Sequence, residues 1–325
     1  MSQNAKGALL ALLAFGLFST HDVFIKTLGA HYSPIQIVFF SVLLSFPLAT
    51  IMLMRDATPG TLVPVHPWWM ALRTLGGVVT GVSAFYAFAH LPLTQTYAIL
   101  FATPLLITVL SIPILGERVR VQRWLAVIVG LAGVMVVLRP GATDLTLGHA
   151  AAIAAAFGGA FASIVVRKIG AEERTLVMLL YPMMANFILM GAALGFVYKP
   201  MPLEHLGMLA IISIMAWTAA RVIIGAYRTG EAAIVAPMQY SQILWATVYG
   251  LLFFDETPDR YTMIGAAIII ASGLFIVFRE SRAGASRNTP VLRTRTRIGT
   301  PSVLRLSGLM RSGRFRDRAK PQENA

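Results

Sequence analysis

Residues 102–133 read ATPLLITVLSIPILGERVRVQRWLAVIVGLAG, and residues 241–273 read SQILWATVYGLLFFDETPDRYTMIGAAIIIASG. Each stretch is an apolar run of helical length, then an acidic turn, then a second apolar run. Aligning Glu117 with Glu256 places the two copies 139 residues apart. The chain therefore repeats itself, and duplicated halves in an apolar chain are typical of membrane transporters, whose solute site lies between the repeats.

A second match supports the duplication. Residues 15–26 read FGLFSTHDVFIK and residues 157–168 read FGGAFASIVVRK, so that Lys26 aligns with Lys168 at a separation of 142 residues. We predict a first repeat over residues 1–142, a second repeat over residues 143–279, and a separate tail over residues 280–325.

The composition is that of an integral membrane protein. Hydrophobic residues make up 57% of the 325 residues and charged residues 13%, whereas about 25% of an average soluble domain is charged. Mean hydropathy is +0.71. Because the chain contains no cysteine, a disulfide framework and a thiolate metal or redox site are excluded. We expect neither a metal nor a cofactor.

The basic charge is concentrated near the end of the chain. Residues 279–325 hold 12 of the 27 Lys and Arg and 3 of the 14 Asp and Glu, so this segment carries +9 of the net +13. It is rich in Ser, Thr, Pro and Gly and lacks the aromatic residues interleaved in nucleic-acid-binding segments. We predict a disordered cytoplasmic tail that binds anionic membrane lipid rather than nucleic acid.

Ten segments are long and apolar enough to cross a bilayer, whose core of about 30 Å needs about 20 apolar residues in a helix. Spans 1 to 10 cover residues 6–26, 34–54, 69–89, 93–115, 121–138, 147–168, 174–197, 206–227, 231–254 and 260–278. The links between them are short and leave no room for a soluble domain. The predicted fold is therefore an all-α integral membrane protein.

The basic residues of the links predict the orientation. With the N-terminus inside, the cytoplasmic segments before the tail carry nine Lys or Arg and the outside segments carry four, in agreement with the positive-inside rule. Five spans in each half then make two inverted five-helix repeats, with the Glu117 turn in the cytoplasm and the Glu256 turn outside. We predict a multi-pass inner-membrane protein with both termini in the cytoplasm.

Two of the prolines inside the predicted spans each lie ahead of an acidic turn. Pro104 is in span 4 and Pro237 is in span 9, and each removes a helical hydrogen bond. We expect a kink at each position, which suits helices that line a cavity but also occurs in ordinary packed spans.

The two repeats and their motifs resemble the EamA family of the drug/metabolite transporter superfamily over residues 6–278. Each copy places alanine and then proline ahead of an acidic turn. The residues are Ala98, Pro104, Leu105, Gly116 and Glu117 in the first copy, and Ala232, Ala233, Pro237, Phe254, Asp255 and Glu256 in the second. The resemblance implies ten helices in an inverted 5+5 arrangement, a central cavity lined mainly by spans 1, 3, 4, 6, 8 and 9, and export of amino acids or related metabolites.

Span 1 contains two ionisable residues, His21 and Asp22, with Lys26 one helical turn after Asp22. Such side chains are costly inside a membrane and usually face a cavity or a partner. An ion pair between Asp22 and Lys26 is the structural alternative. The functional alternative is that His21 or Asp22 takes up a proton during transport.

Arg221 is the most unusual charge in the spans, because no acidic residue lies at helical neighbour spacing. Trp217 lies one turn before it, so a cation stacked on the indole is one structural alternative and extension toward water is another. The functional alternative is a bidentate hydrogen bond from Arg221 to a carboxylate or phosphate of the solute.

Amides and phenols with apolar neighbours complete the predicted solute site, because they suit a small amphipathic solute. They are Tyr86, Gln95 and Tyr97 in spans 3 and 4, and Gln239, Tyr240 and Gln242 in span 9. Hydrogen bonding between helices is the competing use of each residue.

These observations predict a secondary transporter of small organic metabolites that works by alternating access, with export of amino acids or related compounds favoured. Uptake or exchange of a larger metabolite, such as S-adenosylmethionine or a nucleotide-linked compound, is an alternative, and so is a non-transporting receptor or assembly subunit. The motifs GxxxxGK[ST], HExxH and GxSxG are absent from the sequence, so we predict neither ATP hydrolysis nor an intramembrane enzyme. A homodimer is left open.

Overall fold

The structure is a computed structural model that describes residues 2–54, 61–117, 119, 121–142, 144–170 and 172–282. All secondary-structure elements in these residues are helices. The last helix continues to Arg282, past the predicted end of the second repeat. The rest of the predicted tail lies outside the described residues, so its contact with lipid stays a prediction.

The helices of the two halves follow the predicted spans closely. The first half contains α1 (Gln3–Gly29), α2 (Pro34–Met54), α3 (Pro67–His90), α4 (Leu93–Leu100), α5 (Thr103–Leu115) and α6 (Val121–Leu138). The second half contains α7 (Leu147–Ile169), α8 (Thr175–Val197), α9 (Leu203–Thr229), α10 (Ala232–Val235), a 3₁₀ helix (Ala236–Ser241), α11 (Gln242–Phe254) and α12 (Arg260–Arg282).

Nine spans in the described part of the chain are helices long and apolar enough to cross a membrane, with α4 and α5 counted as one. The remaining predicted span, span 9, is present as three consecutive pieces, α10, the 3₁₀ helix and α11. The predicted all-helical membrane fold is confirmed, and span 9 differs from the prediction in being broken rather than continuous.

Both prolines lie where their spans break. Helix α4 ends at Leu100 and α5 begins at Thr103, directly before Pro104, while Pro237 is the second residue of the 3₁₀ helix. Proline has no amide hydrogen and its ring clashes with the preceding helical turn. The predicted kinks are therefore confirmed, and both breaks lie beside the polar centre described below.

The two halves interlock through their long helices. Helix α1 packs along α9 and α3 packs along α7, while α6 pairs with α12 and α2 with α8. Helices α1 and α7 are the first helices of the two repeats, and α3 and α9 are the third. The α1–α9 contact is therefore equivalent to the α7–α3 contact, so the packing has the symmetry of the repeats. The two acidic turns lie at opposite ends of the bundle, named here the Glu117 end and the Glu256 end.

The two acidic turns share one backbone geometry. Gly116 and Asp255, which are equivalent positions at the 139-residue separation, have positive φ angles of 68° and 52°. In each turn the amide of the following glutamate donates to the carbonyl six residues earlier, at 3.3 Å to Ser111 O and at 2.9 Å to Gly250 O. A left-handed residue with such a bond is a helix C-terminal motif. The duplication seen in the sequence therefore extends to the backbone hydrogen bonds.

Small residues let α6 and α12 approach closely. A Cβ atom added at Gly265 of α12 would lie 2.6 Å from the carbonyl oxygen of Gly133 and 2.5 Å from Cγ2 of Val137. Real carbon atoms do not approach this closely, and one of the two neighbours is backbone. Glycine is therefore required where these two helices cross.

We predict that Gly265→Ala destabilises the protein, because overpacking of this kind costs about 1–3 kcal/mol. Gly207→Ala is the matched control, since a Cβ atom at Gly207 in α9 meets nothing within 4 Å and alanine is favoured over glycine in a helix by about 1 kcal/mol. Thermal unfolding in detergent is expected to show a lower midpoint for Gly265→Ala only. Equal midpoints for the two variants would contradict the close packing of α6 and α12.

Candidate functional site

Helix α1 carries a buried carboxylate next to a buried imidazole. Asp22 is 0% exposed and His21 is 2% exposed. His21 Nδ1 lies 2.7 Å from Asp22 Oδ1, and Asp22 Oδ2 accepts a short hydrogen bond from the Tyr97 hydroxyl of α4. Both carboxylate oxygens thus contact a hydrogen-bonding group, which is what burial of a charge requires.

The second half of the chain completes this cluster. Gln242 Nε2, at the start of α11, donates to the Tyr97 hydroxyl oxygen at 3.3 Å. Ser19 Oγ lies 3.4 Å from the same hydroxyl. We name the five residues Ser19, His21, Asp22, Tyr97 and Gln242 the Asp22 centre. It joins α1 and α4 of one repeat to α11 of the other, which is where a transporter built from repeats binds its solute.

Aromatic rings enclose the Asp22 centre. The Phe85 ring meets His21 edge-on at 6.4 Å between centroids, and the Phe88 ring meets Tyr97 at 5.3 Å. Phe101, in the break between α4 and α5, lies 6.1 Å from Tyr97 and 5.1 Å from Tyr240. The polar groups therefore lie among apolar surfaces, and electrostatic interactions there are stronger than in water.

One hydroxyl group of the 3₁₀ helix, Ser241 Oγ, is buried without a hydrogen-bond partner among the described residues, whereas the neighbouring Tyr240 hydroxyl lies against Gly273 of α12. Tyr240 and Ser241 directly precede Gln242 in the sequence. A buried polar group without a partner costs about 1–3 kcal/mol, so the Ser241 hydroxyl is a candidate hydrogen-bonding group for a polar solute. The predicted residue Gln239 is half-buried on the same 3₁₀ helix.

Tyr86 and Gln95, two other predicted site residues, lie outside the Asp22 centre. The Tyr86 ring stacks on His90 at 4.0 Å, at the end of α3. Gln95 Nε2 lies 3.0 Å from Nε2 of His149, near the start of α7. Each side chain therefore contacts a histidine of the protein itself. Such contacts within the bundle are the structural alternative to solute binding.

Trp217 and Arg221 contact each other on α9. The Arg221 guanidinium carbon lies 3.9 Å from the centre of the Trp217 ring, and the Arg221 side chain is exposed. The Trp217 ring packs against Leu176 and Leu179 of α8 and against Met52 of α2. The cation–π contact is the structural alternative considered above, and binding of a solute anion by Arg221 stays a prediction.

The ion pair expected between Asp22 and Lys26 is wrong. Lys26 Nζ lies 2.7 Å from Oε1 of Glu256 and donates to the carbonyl oxygen of Leu91 at 2.6 Å. Helical spacing placed Lys26 on the same face as Asp22, but the lysine side chain extends toward the Glu256 end, where the acidic turn of the other repeat supplies a carboxylate.

Three residues at or near this site were not predicted as site residues from the sequence: Ser19, Ser241 and Glu256. The two serines carry no charge, and nothing in their neighbours distinguishes them from serines that cap or pack a helix. Glu256 was noticed as a marker of the repeat. The alignment of Lys26 with Lys168 and of Glu256 with Glu117 is the signal that would have paired a basic helix end with an acidic turn. Among the described residues, no group of three side chains is placed to hold a metal ion.

A buried polar centre shared by two interlocked, inverted repeats defines a membrane transporter. A sequence profile of the EamA-like transporter family matches residues 5–139 and 146–278. The chain therefore belongs to the EamA-like transporter family. It is a multi-pass membrane protein that transports a small organic solute, and it is not an enzyme.

Curated relatives are transporters of different solutes. The S-adenosylmethionine uptake transporter of Rickettsia bellii is 27% identical over 84% of this chain and 93% of the relative. The pseudopaline exporter CntI of Pseudomonas aeruginosa is 27% identical over 82% of this chain and 94% of the relative. The riboflavin transporter of Vibrio cholerae is 30% identical over 66% of this chain and 72% of the relative.

A solved crystal structure has the same fold. It superposes with a TM-score of 0.56 at 18% sequence identity, covering 87% of this chain and 100% of the other. At this level of identity the similarity concerns the fold alone.

We predict that Tyr97→Phe lowers solute transport by about tenfold or more without lowering stability to the same degree. The Tyr97 hydroxyl contacts Asp22, Gln242 and Ser19, and a hydrogen bond to a charged group contributes about 1.5–3 kcal/mol. Tyr86→Phe is the matched control, because the Tyr86 ring stack with His90 does not use the hydroxyl. Transport in proteoliposomes and the thermal midpoint are measured for both variants. Equal transport by the two variants would contradict the role of Tyr97.

Proposed function

We propose that this protein carries an amino acid, or a related metabolite with a positively charged amino group, across the inner membrane by alternating access. The observation that carries the proposal is the fully buried carboxylate of Asp22, with its oxygens at His21 and at the Tyr97 hydroxyl. A carboxylate in apolar surroundings is a strong partner for an ammonium group, because charge-assisted hydrogen bonds are roughly twice as strong as neutral ones.

The surroundings of the carboxylate suit the rest of such a solute. The amide of Gln242 and the buried hydroxyl of Ser241 offer hydrogen bonds to a carboxylate of the solute. Phe85 and Phe101 offer apolar contacts to a side chain. Donors, an acidic group and apolar walls in one place are the mixture that small-molecule sites use for orientation and affinity.

The relatives support this class of solute. S-adenosylmethionine, which the Rickettsia bellii relative is named for taking up, is an α-amino acid that also carries a positive sulfonium. It combines the two features that a buried carboxylate and nearby donors recognise.

The contact between His21 and Asp22 supports coupling to protons. The two groups are 2.7 Å apart, so a proton shared between them neutralises the carboxylate in the absence of solute. A cationic solute that binds Asp22 displaces this proton, which then leaves to the side that is open. An inward proton gradient therefore drives the solute outward, and we propose export as the direction.

Uptake of S-adenosylmethionine is the second candidate. Three Rickettsia relatives that are named as S-adenosylmethionine uptake transporters match this chain at 26–27% identity over 84–85% of its length. In this case the protein exchanges external S-adenosylmethionine for a different internal solute, which gives uptake of S-adenosylmethionine without proton transfer. The Asp22 centre would bind both solutes in turn.

Both termini are proposed to face the cytoplasm, at the Glu117 end. Asn4, near the start of the chain, contacts Glu231 at this end of the bundle, and ten spans return the chain to the side where it began. The excess of Lys and Arg in the links on that side supports this orientation.

Counterflow in proteoliposomes tests the proposed function. Vesicles loaded with unlabelled S-adenosylmethionine, arginine, leucine or riboflavin receive a trace of the same labelled compound. We expect accumulation for S-adenosylmethionine or a free amino acid and none for riboflavin. Accumulation of riboflavin alone would contradict the proposed solute class. A pH difference across the membrane then decides the direction, because export by proton exchange accelerates when the opposite side is acidic and solute exchange does not.

We predict that Asp22→Asn weakens solute affinity by about 10–100-fold, since a charge-assisted hydrogen bond contributes about 1.5–3 kcal/mol and 1.4 kcal/mol is a factor of about ten. In wild-type protein the apparent KM for counterflow is expected to rise as pH falls from about 8 to about 5.5, because protons compete with the solute. Asp22→Asn and His21→Ala are expected to remove this dependence.

Asp259→Asn is the control for this experiment, because Asp259 lies at the Glu256 end, bound to Thr262 and Arg139, outside the Asp22 centre. It is expected to keep the wild-type pH profile. If Asp22→Asn and His21→Ala show the same pH dependence of the apparent KM as the wild-type protein and Asp259→Asn, the Asp22 centre takes no part in transport.

A further inference from the structure

The Glu256 end of the bundle is closed by a half-buried ion pair between the two repeats. The Lys26 and Glu256 side chains are 11% and 19% exposed, with 2.7 Å between Nζ and Oε1. Lys26 also donates to the Leu91 carbonyl, and Glu256 Oε2 accepts from the Leu93 amide at 2.9 Å. The pair therefore holds together the end of α1, the start of α4 and the turn after α11.

This ion pair lies one helical turn from the Asp22 centre. Lys26 follows Asp22 by four residues on α1, and Leu93 precedes Tyr97 by four residues on α4, which corresponds to about 6 Å along each helix. The helices that carry the Asp22–Tyr97 hydrogen bond are thus the same two that Lys26 and Glu256 hold together.

The Glu117 end carries the corresponding pair. Arg167 of α7 makes a short contact with Glu117, and the two side chains are 11% and 7% exposed. The neighbouring Lys168, which aligns with Lys26, donates to the Ile114 carbonyl at 2.8 Å. In both pairs, the basic end of the first helix of one repeat contacts the acidic turn of the other repeat.

A third ion pair at the Glu256 end differs in its surroundings. Arg139 and Asp259 are 3.1 Å apart, but their side chains are 25% and 41% exposed. They join α6 and α12, which pack along each other and contribute no residue to the Asp22 centre. This pair serves as an internal comparison at the same end of the bundle.

We propose that the pairs Lys26–Glu256 and Arg167–Glu117 are the two gates of the transport cycle, which open alternately. The proposal rests on alternating-access transport as proposed above. Each pair joins the two repeats at one end of the bundle. When that end opens, the two side chains separate and water solvates their charges, so the pair exists only while that end is closed. An interaction present in one state alone determines the population of that state.

Removal of one pair therefore favours the conformation that is open at that end, and with alternating gates the opposite end becomes more closed. Single-cysteine labelling measures this, because the native chain contains no cysteine. The reporter is Ser241→Cys, at a residue whose hydroxyl is buried and which directly precedes Gln242 of the Asp22 centre. We measure its rate of reaction with a membrane-impermeant maleimide from each face of sealed vesicles.

The variants Lys26→Met and Arg167→Met are each made in the reporter protein, with Lys26→Arg and Arg167→Lys as charge-retaining controls and Arg139→Met as the comparison for the third pair. Lys26→Met is expected to raise the labelling rate at least tenfold from one face and to lower it from the other. Arg167→Met is expected to produce the opposite pattern, and the three control variants are expected to label like the unmodified reporter.

Acceleration from both faces in Lys26→Met would overturn the proposal, because it indicates loosening rather than gating, and so would an equal effect of Arg139→Met. If Lys26→Met does not yield folded protein, Glu256→Gln removes the same pair and is subject to the same outcomes. Labelling uses no solute, so a negative counterflow experiment does not contradict the proposed gates. Unchanged labelling rates in Lys26→Met and Arg167→Met would reject the gates without contradicting the proposed solute class.

Discussion

A carboxylate buried inside a membrane-spanning bundle is the constraint on which the rest of this structure depends. An aspartate at the centre of a membrane helix costs about 2.5–3.5 kcal/mol even on insertion scales, so Asp22 requires polar neighbours. His21 and Tyr97 supply them, and Gln242 in turn contacts Tyr97. The positions of α1, α4 and α11 are therefore fixed relative to one another by a single charge.

The broken spans follow from the same requirement. A continuous helix would satisfy all its own hydrogen bonds and present only side chains to the interior. The break beside Pro104 brings Phe101 against Tyr97 of the polar centre, and the 3₁₀ helix that contains Pro237 brings Tyr240 against Phe101 and leads into Gln242. Irregular backbone within a membrane is tolerated where protein surrounds it or where it lines a cavity, and in transporters such breaks are typical of the solute site.

The duplication is symmetric in its scaffold and asymmetric in its chemistry. The turns that end α5 and α11 share a left-handed residue and the same hydrogen bond, and both are followed by a glutamate in an ion pair with the other repeat. The positions aligned with His21 and Asp22 are Ser163 and Ile164. One repeat therefore supplies the buried carboxylate, while the two repeats form equivalent ion pairs at opposite ends of the bundle.

The fold could be predicted from the sequence because membrane insertion leaves few alternatives. Apolar runs of about 20 residues must be helices. Pro104 and Pro237 lie at the breaks, whereas Pro47, Pro113 and Pro182 lie inside continuous helices, so proline alone does not locate a break. The site was predicted less completely. Asp22, His21, Tyr97 and Gln242 were recognised by their polarity within apolar spans, but the partner of Lys26 was wrong because contacts between repeats outweigh spacing along one helix. Ser19 and Ser241 were not predicted because a serine hydroxyl carries no charge, and its role depends on neighbouring residues that are distant in the sequence.

Chemical modification of Asp22 tests the central claim most directly. A hydrophobic carbodiimide reacts with buried carboxyl groups, and mass spectrometry of the purified protein locates the modified residue. The account predicts that Asp22 reacts and that saturating S-adenosylmethionine, or the amino acid found by counterflow, prevents the reaction, while Asp259, whose side chain is 41% exposed, stays unmodified in both cases. Modification of Asp22 at the same rate with and without the transported solute would contradict the account.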